Sequence, residues 1–181
     1  WDRVGAAFSS RTRLVIVNSP HNPSGAVLLQ SDLDALTELL RRSRALVLSD
    51  EVYEHMLFDG RTHASMLTRA ELAARSFVVS SFGKTCHATG WKIGYCVAPP
   101  ALTTEFRKVH QFVQFAVATP MQAGLAGFLS ECPRHSLELP AFYQAKRDHF
   151  CRLLSDTPLA FTPSAGTYFQ LADYSAISEL P

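Results

Sequence analysis

The chain has 181 residues, of which 47% are hydrophobic and 18% charged, and its formal net charge is +1. That length suffices for one ordinary domain with a sizeable core, and the composition excludes a disordered chain. The near-neutral charge offers no field for nucleic acid or a membrane surface, and no apolar run approaches the roughly 20 residues of a spanning helix.

From the N-terminus, Arg13-Leu14-Val15-Ile16-Val17 is a branched apolar run ending at Asn18-Ser19-Pro20, the profile of a buried strand entering a loop. Ser31-Asp32 can cap a helix running to about Ser43, with Leu33, Leu36, Leu39 and Leu40 on one face. Ala45-Leu46-Val47-Leu48-Ser49 predicts a second buried strand, ending at Asp50-Glu51. A short helical stretch is expected near Arg69–Ala74. Ser76-Phe77-Val78-Val79-Ser80 predicts a third strand ending at Ser81–Lys84, and Ile93–Ala98 a fourth, closed by Pro99-Pro100. Helices follow over about 101–131, interrupted near Pro120, and over about 139–155, and a last strand is expected over about Gly166–Leu171. This alternation predicts an α/β fold: a mainly parallel sheet with helices on both faces. The missing initiator Met before Trp1 and the stop at Pro181, soon after a predicted strand, lead us to expect a piece of a longer protein.

In open α/β sheets ligands bind beyond the carboxyl ends of the strands. Three polar clusters fall there: Asn22-Pro23-Ser24-Gly25, Asp50-Glu51-Val52-Tyr53 and Ser81-Phe82-Gly83-Lys84. Lys84 has three readings. It is a lysine in a surface turn, the tail of a phosphate-binding G-x-x-x-x-G-K-S/T loop, or an amine that condenses with an aldehyde. The phosphate loop fails, because it needs glycine five residues before Gly83, where Val78 stands inside a strand. Asp50 is either a helix cap or a carboxylate paired with a pyridinium nitrogen. Tyr53 is a core tyrosine or a phenol facing the same way as Asp50. Asn22 is a turn residue or an amide aimed at a ligand oxygen; Pro23 favours extended backbone there, and Gly25 permits a tight turn. The four scattered cysteines read as buried or half-buried reduced thiols, and the seven histidines show no metal-ligand spacing, so no metal site is expected.

The strings Asn18-Ser19-Pro20-His21-Asn22-Pro23-Ser24-Gly25, Asp50-Glu51-Val52-Tyr53 and Ser81-Phe82-Gly83-Lys84-Thr85-Cys86-His87-Ala88-Thr89-Gly90-Trp91-Lys92-Ile93-Gly94 resemble the class I/II aminotransferases, the fold-type I enzymes of pyridoxal 5′-phosphate (PLP). The methionine and kynurenine aminotransferase branch is the most similar, and the spacings of 28 residues from Asn22 to Asp50 and 34 from Asp50 to Lys84 match it. The resemblance implies a PLP-transferase-like large-domain sheet over residues 1–135. It implies a connecting helix and the incomplete beginning of a small C-terminal domain over 136–181. It also implies the site. Lys84 forms the internal aldimine and shuttles a proton. Asp50 pairs with the pyridine nitrogen, Tyr53 and Asn22 hydrogen-bond the ring oxygen, and Ser81 and Lys92 bind the phosphate.

Many members carry arginine where Lys92 stands, so phosphate binding here relies more on other donors. The family's glycine-rich phosphate loop and ring-stacking aromatic are expected upstream of Trp1, and its carboxylate-binding arginine downstream of Pro181. The implied activity is ping-pong amino-group transfer from an amino acid, such as methionine or an aromatic or apolar one, to a 2-oxo acid. A PLP-dependent cysteine-conjugate β-lyase and an inactive truncated fragment are the alternatives. A cytoplasmic homodimer is implied, with neither nucleic acid nor membrane as partner. Exposed apolar surface is expected where the rest of the protein would pack.

Overall fold

The computed structural model describes residues 1–179. Four strands form its sheet: β1 (Leu14–Asn18), β2 (Leu46–Asp50), β3 (Ser76–Ser81) and β4 (Gly94–Val97), in spatial order β1-β2-β3-β4. The first three are parallel, and β4 returns antiparallel to β3. The parallel register sets Asn18 beside Asp50 and Asp50 beside Val79, so three chain segments leave the sheet at one edge. The predicted α/β class, mainly parallel, is what forms.

Around the sheet lie α1 (Asp2–Ala7), α2 (Gln30–Arg41), α3 (Ala70–Ala73), α4 (Phe82–Thr85), α5 (Pro100–Val113), α6 (Thr119–Glu131) and α7 (His135–Ser155). Leu33, Leu36 and Leu40 of α2 are buried with Val47 of β2 and Val78 of β3, and Ala45, Ala64, Met66 and Leu72 complete this core. The opposite sheet face meets α5 through Phe77 and Phe106, whose ring centroids lie 6.3 Å apart. At the β1 edge that face is open: Ile16 is 69% exposed. Phe112 and Phe115, near and beyond the end of α5, are 84% and 87% exposed.

Several local expectations change. The cap of α2 is Leu29, and Asp32 works from inside the first turn, its carboxylate accepting from the Leu29 N–H at 2.7 Å. The expected interruption near Pro120 does form, between α5 and α6, each of which has a proline near its start, where the missing N–H costs nothing. Helix α7 begins at His135, ahead of the expected 139, and carries Pro140 inside it. The strand expected over Gly166–Leu171 does not form. Gly166 makes a single antiparallel bridge to Leu57, and Thr167 then turns left-handed at φ +67°, which ends any extended run. Cys86, Cys96, Cys132 and Cys151 are all free thiols; Cys132 is exposed, against expectation, and burial pushes the other three thiols up.

Candidate active site

The sequence clusters meet at the carboxyl edge of the sheet through backbone and side-chain ties. The Asn18 amide, at the end of β1, donates to the Asp50 carbonyl at 3.0 Å, and its oxygen accepts from the Asn22 N–H at 2.8 Å. Asn18 thus ties the Asn22 loop to the end of β2. The turn that follows closes through Gly25 N–H to the His21 carbonyl at 2.8 Å, with Gly25 at φ +68°. The expected turn and the expected outward amide are therefore compatible: backbone forms the turn, and the Asn22 side chain is left exposed.

Beyond Asp50 the chain makes tight turns, with Glu54 N–H to the Glu51 carbonyl and Met56 N–H to the Tyr53 carbonyl, where the sequence reading considered a helix. Asp50 Oδ1 accepts from the Val52 N–H at 3.2 Å. Tyr53 is 2% exposed, and its hydroxyl reaches the Tyr168 hydroxyl at 3.5 Å. Burial first, then the Tyr168 hydroxyl and the Asp50 charge, push the Tyr53 phenol well above its ordinary range. It therefore stays protonated at neutral pH and acts as a donor.

Lys84 lies in α4, the single short turn directly after β3. Ser81 caps that turn: its hydroxyl oxygen accepts from the Gly83 N–H at 3.1 Å and its O–H points to the Ile93 carbonyl at 3.4 Å. The Lys84 amine lies 5.9 Å from the Tyr168 ring centroid. Lys92 is exposed, left-handed at φ +57°, and two residues before Gly94, which pairs with Ser81 across the sheet. The structure therefore joins Asn22 to Asp50 through Asn18, and Tyr53 to Lys84 through Tyr168. Ser81 and Lys92 flank the strand pair next to them.

Three contributors were not singled out by the sequence reading. Asn18 was a strand end, with its neighbouring prolines as the only hint. Tyr168 sat in the expected last strand, although Gly166-Thr167 before it is a turn signal. Glu51 was one letter of a motif, yet it is 1% exposed and saturated. It accepts from Ser49 Oγ at 2.9 Å, the Met66 N–H at 3.0 Å and His63 Nε2 at 2.7 Å. A carboxylate only accepts, so His63 Nε2 carries the proton. Burial pushes the Glu51 carboxyl up, but hydrogen bonds from His63, Ser65 and Met66 outweigh it and hold it below the usual range. Ligand atoms of Glu51, Glu54 and His63 lie within 4.8 Å of one another. They are committed to protein partners, Glu54 to Ser80 and Tyr95, so the cluster reads as a structural network.

The family model for aminotransferase class I and II matches residues 2–180. The chain belongs to this family. It is 51% identical over 180 residues to methionine aminotransferase of Escherichia coli strain K12, which covers 99% of the chain and 47% of that protein. It is 36% identical to kynurenine–oxoglutarate transaminase of Dictyostelium discoideum, over 97% of the chain and 41% of that protein. The solved E. coli structure YbdL, identified as a methionine aminotransferase, superimposes with a TM-score of 0.96 at 50% identity over 99% of the chain and 48% of its own. N-succinyldiaminopimelate aminotransferase of Mycobacterium tuberculosis gives 0.91 at 35% identity, over 96% and 45%. The chain thus spans about half the length of these relatives or less.

Proposed function

We propose that this aminotransferase chain carries the PLP-binding and proton-transfer groups of an enzyme that moves an amino group from an amino acid to a 2-oxo acid. The observation that carries the reading is the chemistry of the donor set left unspent at the strand ends. Among the described residues, none hydrogen-bonds the Asn22 side-chain amide, the second carboxylate oxygen of Asp50 or the Lys84 amine. An amide, a carboxylate, a protonated phenol and an amine fit a pyridine ring bearing a nitrogen, an oxygen and an aldehyde. A cation and a hydroxyl at Lys92 and Ser81 fit its phosphate.

When bound, PLP supplies the aldehyde that takes the amino group and a protonated ring that accepts the electron pair left at the substrate Cα. Asp50 holds the proton on the ring nitrogen through its negative charge. Tyr53 donates to the ring oxygen, and the Asn22 amide orients the same atom. The Lys84 amine would accept the substrate Cα proton and return it later, working as general base and then general acid. Lys92 and Ser81 hold the phosphate, with Lys92 as a point charge. The first product leaves before the second substrate enters, which is ping-pong behaviour.

The likeness to methionine and kynurenine aminotransferases supports an apolar or aromatic donor such as methionine. Family membership supports three further parts of the proposal: residues 1–135 as large domain with 136–181 beginning the small one, a homodimer, and a cytoplasmic site. No helix among the described residues is long and apolar enough to cross a membrane. The test is product analysis on the intact gene product supplied with methionine and a 2-oxo acid. The expected products are the 2-oxo acid of methionine and a new amino acid. Pyruvate and a thiol, released from a cysteine conjugate without any oxo acid, would replace this reading with the β-lyase one. No product in either assay would overturn both.

A further inference from the structure

We infer that Tyr168 is a positioning residue of this site: its ring walls the Lys84 amine and packs edge-on against the Tyr53 ring. The inference rests on the proposed PLP chemistry and adds to it a residue from the far end of the chain.

Residues 164–169 thread between the two loops that carry Asn22 and Tyr53. Ala165 N–H donates to the Gly25 carbonyl at 3.2 Å, Phe58 N–H to the Ala165 carbonyl at 3.0 Å, and Thr167 N–H to the Met56 carbonyl at 2.9 Å. Both glycines in this crossing are required by contact. A Cβ on Gly25 would lie 2.4 Å from Ser164 Cβ, and one on Gly166 would lie 2.8 Å from the Met56 carbonyl oxygen. From behind, Arg147 donates to the Ser164 carbonyl at 2.9 Å while its fork grips Asp59 at 2.8 and 2.6 Å. The segment is therefore pinned on three sides just before Tyr168.

Thr167 then does what a β-branched residue seldom does: it is fully buried and left-handed, at φ +67°. Such backbone persists only where surrounding contacts over-determine it, and it points to function when found beside a site. Its consequence is the aim of the next side chain. The Tyr168 ring meets Tyr53 edge-on at 5.3 Å and 87°, and leans on Phe169 at 4.8 Å and Tyr143 at 5.7 Å. The Lys84 amine lies within cation–π range of its face. The titratable groups facing this cluster among the described residues are Asp50 at the end of β2, Lys84 on α4, Tyr143, Lys146 and Arg147 on α7, and His87 against Tyr143. The hydroxyl contact of 3.5 Å is long, so it gives way readily to a better acceptor. The edge-on Tyr168 ring thus fixes the Tyr53 ring, and the Tyr53 hydroxyl stays free to turn its proton to the ring oxygen. Tyr168 is 41% exposed, so replacing it need not disturb the core.

The experiment uses the PLP-loaded intact protein and reads the pH midpoint of the cofactor's visible absorbance. Tyr53→Phe is the reference. Tyr168→Leu is expected to move the midpoint in the same direction as Tyr53→Phe, by about half a pH unit or more. It is also expected to lower kcat about tenfold with little change in KM. Tyr168→Phe keeps the ring and should restore both readouts most of the way. A Tyr168→Leu protein with wild-type midpoint and kcat would overturn the inference. So would a Tyr168→Phe protein as defective as Tyr168→Leu, because the ring would then not be what positions. If Tyr168→Leu does not fold, Tyr168→Met carries the same readouts. Failure of the wild-type protein to bind PLP would instead overturn the proposed function, so the two failures are distinct.

Discussion

Asp50 and Glu51 are adjacent carboxylates at the end of one strand, and their surroundings could hardly differ more. Glu51 is buried and takes hydrogen bonds from a hydroxyl, an imidazole and a backbone N–H. Asp50 is half-buried, and its carboxylate accepts a single backbone N–H. A buried charge with every acceptor filled is there to hold structure. A charge presented at the edge with an unspent oxygen is there to meet something else. The same contrast separates Arg147, gripped by Asp59, Asp148 and Ser164, from Lys84 and Lys92, whose amines are unspent among the described residues. Saturation marks scaffold, and unspent polarity at a strand end marks site.

The largest break of this contrast is Lys84→Ala. It should lower amino-group transfer by roughly 10²–10⁴-fold or more, the scale of a lost general acid–base, and leave the thermal midpoint near wild type. Next come the neighbours. Glu51→Ala strands His63, Ser49 and the Met66 N–H, and should cost about 3–5 kcal/mol in urea unfolding. Asp50→Asn should instead leave stability close to wild type while activity collapses. If Asp50→Asn unfolds the protein and Glu51→Ala does not, the contrast is drawn the wrong way round.

Acid sharpens the same pair. The folded Glu51 carboxyl titrates below its ordinary value of 4.5, so its stabilisation is complete above that value and fades as pH falls through the lowered one. The stability gap between wild type and Glu51→Gln should therefore narrow on going from about pH 6 to about pH 3, measured by urea midpoints. Gly25→Ala, with its positive φ and its contact with Ser164, should cost about 1–3 kcal/mol and disturb Tyr168 as well as the Asn22 loop. The smallest effect is expected from Lys92→Arg. The side chain is exposed, and exchanging a point charge for a fork should change PLP affinity less than about tenfold by equilibrium dialysis.

Much of this was legible in the sequence, for identifiable reasons. Buried parallel strands read as short branched apolar runs, and the polar residues ending them stand out against that background. Hence β1, β2 and β3 and the positions of Asn22, Asp50 and Lys84 followed from pattern alone. Tyr168 was not legible, because its place depends on a left-handed threonine and a crossing between two distant loops. An apolar stretch containing Gly166-Thr167-Tyr168-Phe169 looks like a strand until Thr167 turns. The role of Glu51 was hidden for a similar reason. Its partners Ser49, His63 and Met66 are near in sequence, but only the fold shows that they converge on its carboxylate. The antiparallel return of β4 was likewise invisible, since direction is not written in hydrophobic period.

We propose Lys84 as the residue to which PLP becomes attached. The direct measurement is to incubate the purified protein with PLP, reduce with borohydride, digest, and weigh the peptides. The phosphopyridoxyl mass is expected on the peptide containing Lys84 and not on Lys92, Lys108 or Lys146. Label spread over those surface lysines, or no label on Lys84, would contradict this proposal.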